Sequence, residues 1–179
     1  MKIEPLAIDG AFCLVPERRG DERGHLARLF CRDDFRAAGL KDCTAQISEV
    51  VNARAHTLRG LHFQRSPHEE TKLISVMRGA VFDVLVDIRP RSPTYGRSVG
   101  LTMAYDDDAL LYAPAGLAHG YLTLTDDCAM LYCIDTPYAP DHAAGLAWDD
   151  PALAIAWPYA PAVISDRDRA WPPLAELTR

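Results

Sequence analysis

From Lys72 to Tyr138, short apolar runs alternate with turn residues. They read KLISVMRG (72–79), AVFDVLVDIRPRSPTYG (80–96), RSVGLTM (97–103), ALLYAPAG (109–116), HGYLTLTDD (119–127) and AMLYCIDTPY (129–138). Strands of roughly five to eight residues, about ten apart, predict a β-sandwich or barrel. Within 81–88, alternation puts Phe82, Val84, Val86 and Ile88 on one face and Val81, Asp83, Leu85 and Asp87 on the other. A face with two aspartates meets water or lines a polar cavity. Asp87, beside the turn RPRSPTYG, is expected in water; for Asp83 both destinations stay open. RDDFRAAGL (32–40) predicts a short helix, with acids early and Gly39 near its end. The last stretch, APAVISDRDRAWPPLAELTR, is Pro-rich and charged. It is expected to wrap over the domain or end in a short helix, with SDRD as a solvated turn.

The chain has 179 residues, 49% hydrophobic and 25% charged. That suits one domain over 1–179 with its own core. A net charge of −6 and a pI near 5.4 argue against a general nucleic-acid binder, which shows a basic face. Local arginines can still hold a small anion in an acidic protein. No apolar run reaches the ~20 residues that span a bilayer, and MKIEPLAIDGAF lacks an apolar signal core. Cys13, Cys31, Cys43, Cys128 and Cys133 are odd in number and form no CxxC, as expected of free thiols in a reducing cytoplasm.

The stretch RGLHFQRSPHEETK (59–72) carries the candidate chemistry. His62 and Gln64 are two apart and share a face on a strand, like half of a metal site. PAGLAHG (114–120) matches Pro-x-Gly-x-x-His, the core of the second cupin motif, and aims His119 inward. The first cupin motif, His-x-His followed by Glu and Gly, is reduced here to His62-Phe63-Gln64, then Glu69, Glu70 and Gly79. The chain therefore resembles the cupin fold with its metal-binding half degraded. A catalytic metal needs about three N/O ligands. His62, His119 and one Glu could supply them, but Gln64 replaces imidazole poorly and Lys72 adds a positive charge. Proton transfer is the stronger reading. Neutral His62 suits a general base, Lys72 an oxyanion partner, and Tyr132 or Tyr138 an acid from the other side. A carboxylate must orient the imidazole, and Asp83 and Asp168 both qualify by spacing. Packing remains the alternative for each tyrosine.

Together these residues resemble the dTDP-4-dehydrorhamnose 3,5-epimerases, nucleotide-sugar epimerases of the cupin superfamily. The likeness runs from Asp21 to Asp168 through DERG (21–24), LRGLHFQ (58–64), KLISVMRGAVFDVLVDIR (72–89), SPTYG (92–96), PAGLAHGYLTL (114–124), YAP (138–140), WDDPALAIAWP (148–158) and SDRD (165–168). The resemblance implies a mainly β, cupin-type jelly-roll barrel with a few short helices. It implies His62 as the base that takes a proton beside a 4-keto group, paired with Asp168. Lys72 would stabilise the enolate and Tyr132 would return a proton from the opposite face. Arg23, Arg59 and His119 match positions that hold the nucleotide sugar, Gln46 falls in the same site, and Arg167 keeps a positive charge where lysine is common. Arg28, Ser48, Gln64 and Tyr138 complete the expected substrate-binding set. A homodimer is implied, in which Arg23 serves the other subunit's site. No metal or redox cofactor is needed.

Several positions depart from the family pattern. Ser48-Glu49-Val50 stands where Asn-x-Ser is usual, Arg28 and Ala143 where acids are frequent, His56 for Gly and Tyr121 for Phe. They leave open a GDP- or CDP-linked substrate and epimerisation at one centre only. Keto-isomerisation or a related lyase reaction, a metal-binding cupin and a sugar-binding module are the rivals. Glu69 and Glu70 are expected at the pocket rim or in solvent.

Overall fold

The computed structural model describes residues 1–177. Along the chain come β1 (Lys2–Pro5), β2 (Phe12–Val15), β3 (Arg18–Asp21), β4 (Gly24–Ala27) and helix α1 (Arg32–Ala37). Then follow β5 (Gln46–Asn52), β6 (Thr57–Gln64), β7 (Lys72–Arg78), β8 (Ala80–Asp87), β9 (Ser98–Ala104), β10 (Leu110–Ala113), β11 (Leu117–Thr123) and β12 (Cys128–Ile134). β13 (Ala143–Gly145), β14 (Val163–Ile164) and helix α2 (Asp166–Arg169) finish the set.

The strands make a two-sheet jelly roll. One sheet runs β1-β2-β10-β7-β12-β5; the other runs β13-β6-β11-β8-β9, with β14 beside β6. Ile74, Leu111 and Met130 of the first sheet pack against Val81, Leu85, Met103 and Tyr121 of the second. The outer face of the second sheet, including Phe63, Val84 and Val86, is covered by Leu153, Trp157, Leu174 and Leu177 from the C-terminal stretch. On the first sheet, Leu14, Leu73, Leu110 and Tyr112 are covered by Phe35 of α1. Among the described residues no helix is long and apolar enough to cross a membrane. All five cysteines are free thiols.

The β8 face split follows the sequence, but Asp87 does not reach water: it is fully buried. Its carboxylate accepts the Arg89 amide at 3.0 Å, Arg89 Nε at 2.9 Å and Thr94 Oγ1 at 2.6 Å, and also binds Ser92 Oγ. The turn folds around this charge. Burial pushes the carboxyl up, but Arg89, Ser92 and Thr94 outweigh it and hold it at about 2. The predicted helix 32–40 stops at Ala37, because the chain turns through Gly39 in the left-handed region (φ +72°). SDRD is not a solvated turn: Ser165 caps α2, accepting the Asp168 amide, and Asp168 is buried.

Candidate active site

A cavity of 260 Å³ opens between the two sheets, and Arg59, His62, Gln64, Glu70, Lys72, His119, Tyr121, Tyr132, Tyr138 and Arg167 are among the residues lining it. Strict alternation cannot put both Arg59 and His62 on one face, since they lie three apart. A β-bulge does so: His119 pairs with His62, and Tyr121 with Arg59, so β6 advances three residues while β11 advances two. The bulge needs glycine. Gly60 has φ +134°, and a Cβ there would lie 2.5 Å from Gly120 Cα.

His62 Nε2 lies 2.6 Å from Asp168 Oδ1. An ionised carboxylate only accepts, so Nε2 carries the hydrogen and Nδ1 is left as the basic nitrogen. Asp168 is itself held, accepting the Gly60 amide at 3.4 Å and the Trp171 indole at 3.3 Å. Burial raises its carboxyl, but the hydrogen bond and charge of His62, with the Gly60 and Trp171 contacts, lower it on balance. Trp171 sits so close over Gly145 that a Cβ there would be 2.5 Å from its ring. Arg167 stacks its guanidinium 5.1 Å from the same ring. Of the two aspartates that spacing allowed, Asp168 thus meets His62. Asp83 instead binds His119 Nε2 through both oxygens, at 2.8 and 3.0 Å.

The facing wall belongs to the first sheet. Lys72 Nζ donates to the His62 carbonyl at 3.4 Å and pairs with Glu70 at 2.6 Å. Both side chains are under 10% exposed, so the expectation that Glu70 lies at the rim or in solvent is corrected. A lysine buried in this wall needs a counter-charge. Glu69 is exposed. Burial pushes the Tyr132 phenol well above its ordinary value, with Tyr121 and Asp83 adding to it. The Tyr132 ring stands edge-on to His119, centroids 5.6 Å apart.

Gln64 faces the cavity beside His62, but its amide is spent on backbone. Its Nε2 donates to the His68 carbonyl at 3.1 Å, and its Oε1 accepts the Ala139 amide at 2.6 Å. Gln46 Oε1 accepts the neighbouring Tyr138 amide at 3.1 Å. The two glutamines therefore fix the loop that carries Tyr138. Gln46 and Ser48 bond each other at 3.4 Å outside the cavity lining. Arg23 and Arg28 also lie outside it. Arg23, on the turn between β3 and β4, bonds Asp21, and Arg28 lines a separate surface depression. His56 occupies a turn at φ +57°, which explains why glycine suits that position, and stacks on Tyr159 at 4.4 Å. Asn52, which accepts from Arg59, and Trp171, which donates to Asp168, support the site and were not reached by motif reading. Alternation along β5 from Gln46 through Ser48 was the available signal for Asn52. Among the described residues, no three His, Cys, Asp or Glu side chains gather as metal ligands.

A jelly roll whose cavity holds an imidazole–carboxylate pair, a facing phenol and a buried ammonium belongs to the acid–base enzymes. The sequence model of the dTDP-4-dehydrorhamnose 3,5-epimerase family matches residues 5–176. A dTDP-4-dehydrorhamnose 3,5-epimerase of Sinorhizobium fredii is 40% identical over 99% of this chain and 91% of its own. Among solved structures, a Legionella pneumophila dTDP-6-deoxy-D-glucose-3,5-epimerase in complex with dTDP-4-keto-L-rhamnose superposes with a TM-score of 0.93 at 34% identity, over 99% of this chain and 94% of that one. ChmJ, a 3'-monoepimerase of Streptomyces bikiniensis in complex with dTDP-quinovose, gives 0.89 at 37% identity, over 96% and 87%. The chain belongs to the dTDP-4-dehydrorhamnose 3,5-epimerase family.

Proposed function

We propose that this isomerase inverts C3 and C5 of dTDP-4-dehydro-6-deoxyglucose, giving dTDP-4-dehydrorhamnose. The observation that carries the reading is the placement of His62 on β6 and Tyr132 on β12, in facing sheets across one cavity that Lys72 also lines. Inversion beside a ketone needs this arrangement. His62 takes the C–H proton on one face, and its charge is balanced by Asp168. The electron pair moves into the 4-keto oxygen as an enolate, which Lys72 stabilises. Tyr132 delivers a proton to the opposite face of the same carbon. Each positioned acid or base contributes about 10²–10⁴-fold. Arg59 and Arg167 serve the diphosphate, since guanidinium matches phosphate oxygens in a fork. His119, Gln64 and Tyr138 shape the walls that meet the sugar and nucleotide, and Gln46, bonded to Ser48, acts from outside the lining by holding the Tyr138 amide.

The same proposal includes a homodimer. The β3–β4 hairpin pairs with neither sheet, and its Leu26 is 73% exposed. β5 is an edge strand with Ile47 and Val51 exposed. A partner covering these surfaces would bring Arg23, and Arg28 with it, to the neighbouring site. The reading also places one domain over 1–179 in the cytoplasm, in keeping with five free thiols.

The test is parallel incubation with dTDP-, GDP- and CDP-linked 4-keto-6-deoxyglucose, with products resolved by NMR. Turnover of the dTDP sugar to the 3,5-inverted product is expected. No dTDP turnover, inversion at one centre, or a rearranged or cleaved product would each overturn the assignment. Light scattering should give twice the chain mass.

A further inference from the structure

Arg59 and Arg167 both line the cavity, but they are held differently. Arg59 Nε donates to Oδ1 of the buried Asn52 at 2.8 Å. Arg167 is exposed, and among the described residues it pairs with no carboxylate; its guanidinium lies over the Trp171 ring, 5.1 Å from the centroid. An arginine loose on a surface loses rotamer freedom when a ligand fixes it. A ring that already holds the guanidinium removes part of that cost. The ring is itself fixed. Arg167 and Asp168 lie four and three residues before Trp171, a spacing that brings both side chains to one indole across the end of α2. The Trp171 N–H donates to Asp168 at 3.3 Å, and the ring sits over Gly145. Just downstream, the Pro172 carbonyl accepts the Ala147 amide at 2.8 Å and the Leu174 amide donates to Asp150 at 2.7 Å. The N–H edge of Trp171 thus serves the His62–Asp168 pair, and its face carries Arg167.

We propose that Trp171 is a positioning residue for the substrate's diphosphate, its ring face holding the Arg167 guanidinium ready for the phosphate oxygens. The inference rests on the reading that Arg167 serves the diphosphate. Contact with a ring face leaves the N–H fork of a guanidinium free to donate, so the platform does not consume the group that phosphate needs. One side chain then acts on two separable quantities. The face acts on nucleotide binding through Arg167. The N–H acts on the chemical step through Asp168.

The experiment titrates dTDP by calorimetry into wild type, Trp171→Phe, Trp171→Leu, Arg167→Gln and the Trp171→Leu/Arg167→Gln double variant. The kcat on dTDP-4-keto-6-deoxyglucose is measured in parallel, and thermal unfolding confirms each fold. Trp171→Met replaces Trp171→Leu should the latter not fold. Arg167→Gln should weaken dTDP binding on the order of tenfold or more. Trp171→Leu should weaken it about three- to tenfold, the range of one preorganised cation–π contact, and also lower kcat. Trp171→Phe keeps a ring face and loses the N–H, so kcat should fall while dTDP affinity stays within about twofold of wild type. In the Arg167→Gln background, Trp171→Leu should cost no further affinity. Wild-type dTDP affinity in Trp171→Leu, equal affinity losses in Trp171→Phe and Trp171→Leu, or losses that multiply in the double variant would overturn the platform role. Wild-type dTDP affinity in Arg167→Gln would instead overturn the diphosphate assignment on which that role rests.

Discussion

Replacing Asp168 by Asn keeps the size of the side chain and removes its charge. When His62 takes a proton, an imidazolium forms against the carboxylate, which approaches Nε2 to 2.6 Å. With charge centres about 4 Å apart, the attraction is about 4 kcal/mol at an effective dielectric near 20. The Asp168 side chain is 6% exposed but that of His62 is 43%, so water screens one side of the pair. Taking about half leaves about 2 kcal/mol, and at 1.36 kcal/mol per decade that is about 30-fold in rate. The assay is the initial rate of proton loss from the 4-keto sugar, with thermal unfolding to confirm the fold. An Asp168→Asn rate within about threefold of wild type, a difference of roughly 0.6 kcal/mol, would refute the reasoning.

Three further outcomes follow from the same geometry. Tyr132→Phe should suppress inverted product far more than proton loss, while His62→Ala should abolish both; two fully active variants would remove these roles. Gly145→Ala puts a Cβ 2.5 Å from the Trp171 ring and disturbs the Trp171–Asp168 contact, so kcat should fall on the order of 10–100-fold with the fold retained. An unchanged kcat would show that Trp171 does not position Asp168. Asp87→Asn tests the buried turn. A carboxyl held at about 2 rather than 3.8 stabilises the folded chain by about 2 kcal/mol at neutral pH. A depressed carboxyl contributes fully above its unfolded value and loses that contribution as pH falls through the folded one. Denaturant unfolding should therefore show a gap that closes between pH about 4 and about 2, and a pH-independent gap would contradict it.

The strands from β7 to β12 were legible in the alternation, because period-two patterning and turn residues act locally. The same alternation correctly placed Gln64 beside His62. It did not tell a damaged ligand from a tie to the Tyr138 loop, which depends on backbone groups far along the chain. The choice between Asp83 and Asp168 was closed to spacing, since Asp168 lies 106 residues from His62. Asp87 was misplaced because a turn aspartate is ordinarily solvated, whereas here three side chains converge to repay its burial. Glu70 was misplaced for a related reason: its value lies in the buried Lys72 it neutralises. The bulge that turns Arg59 toward the cavity leaves only glycine as its mark, and glycine has many other uses.

The central claim is that one cavity carries out proton removal and opposite-face return beside a 4-keto group. Its most direct test is incubation with dTDP-4-keto-6-deoxyglucose in D2O, with the product read by NMR. Deuterium is expected at both C3 and C5 of an inverted product. Sugar recovered with no deuterium at either carbon would contradict it.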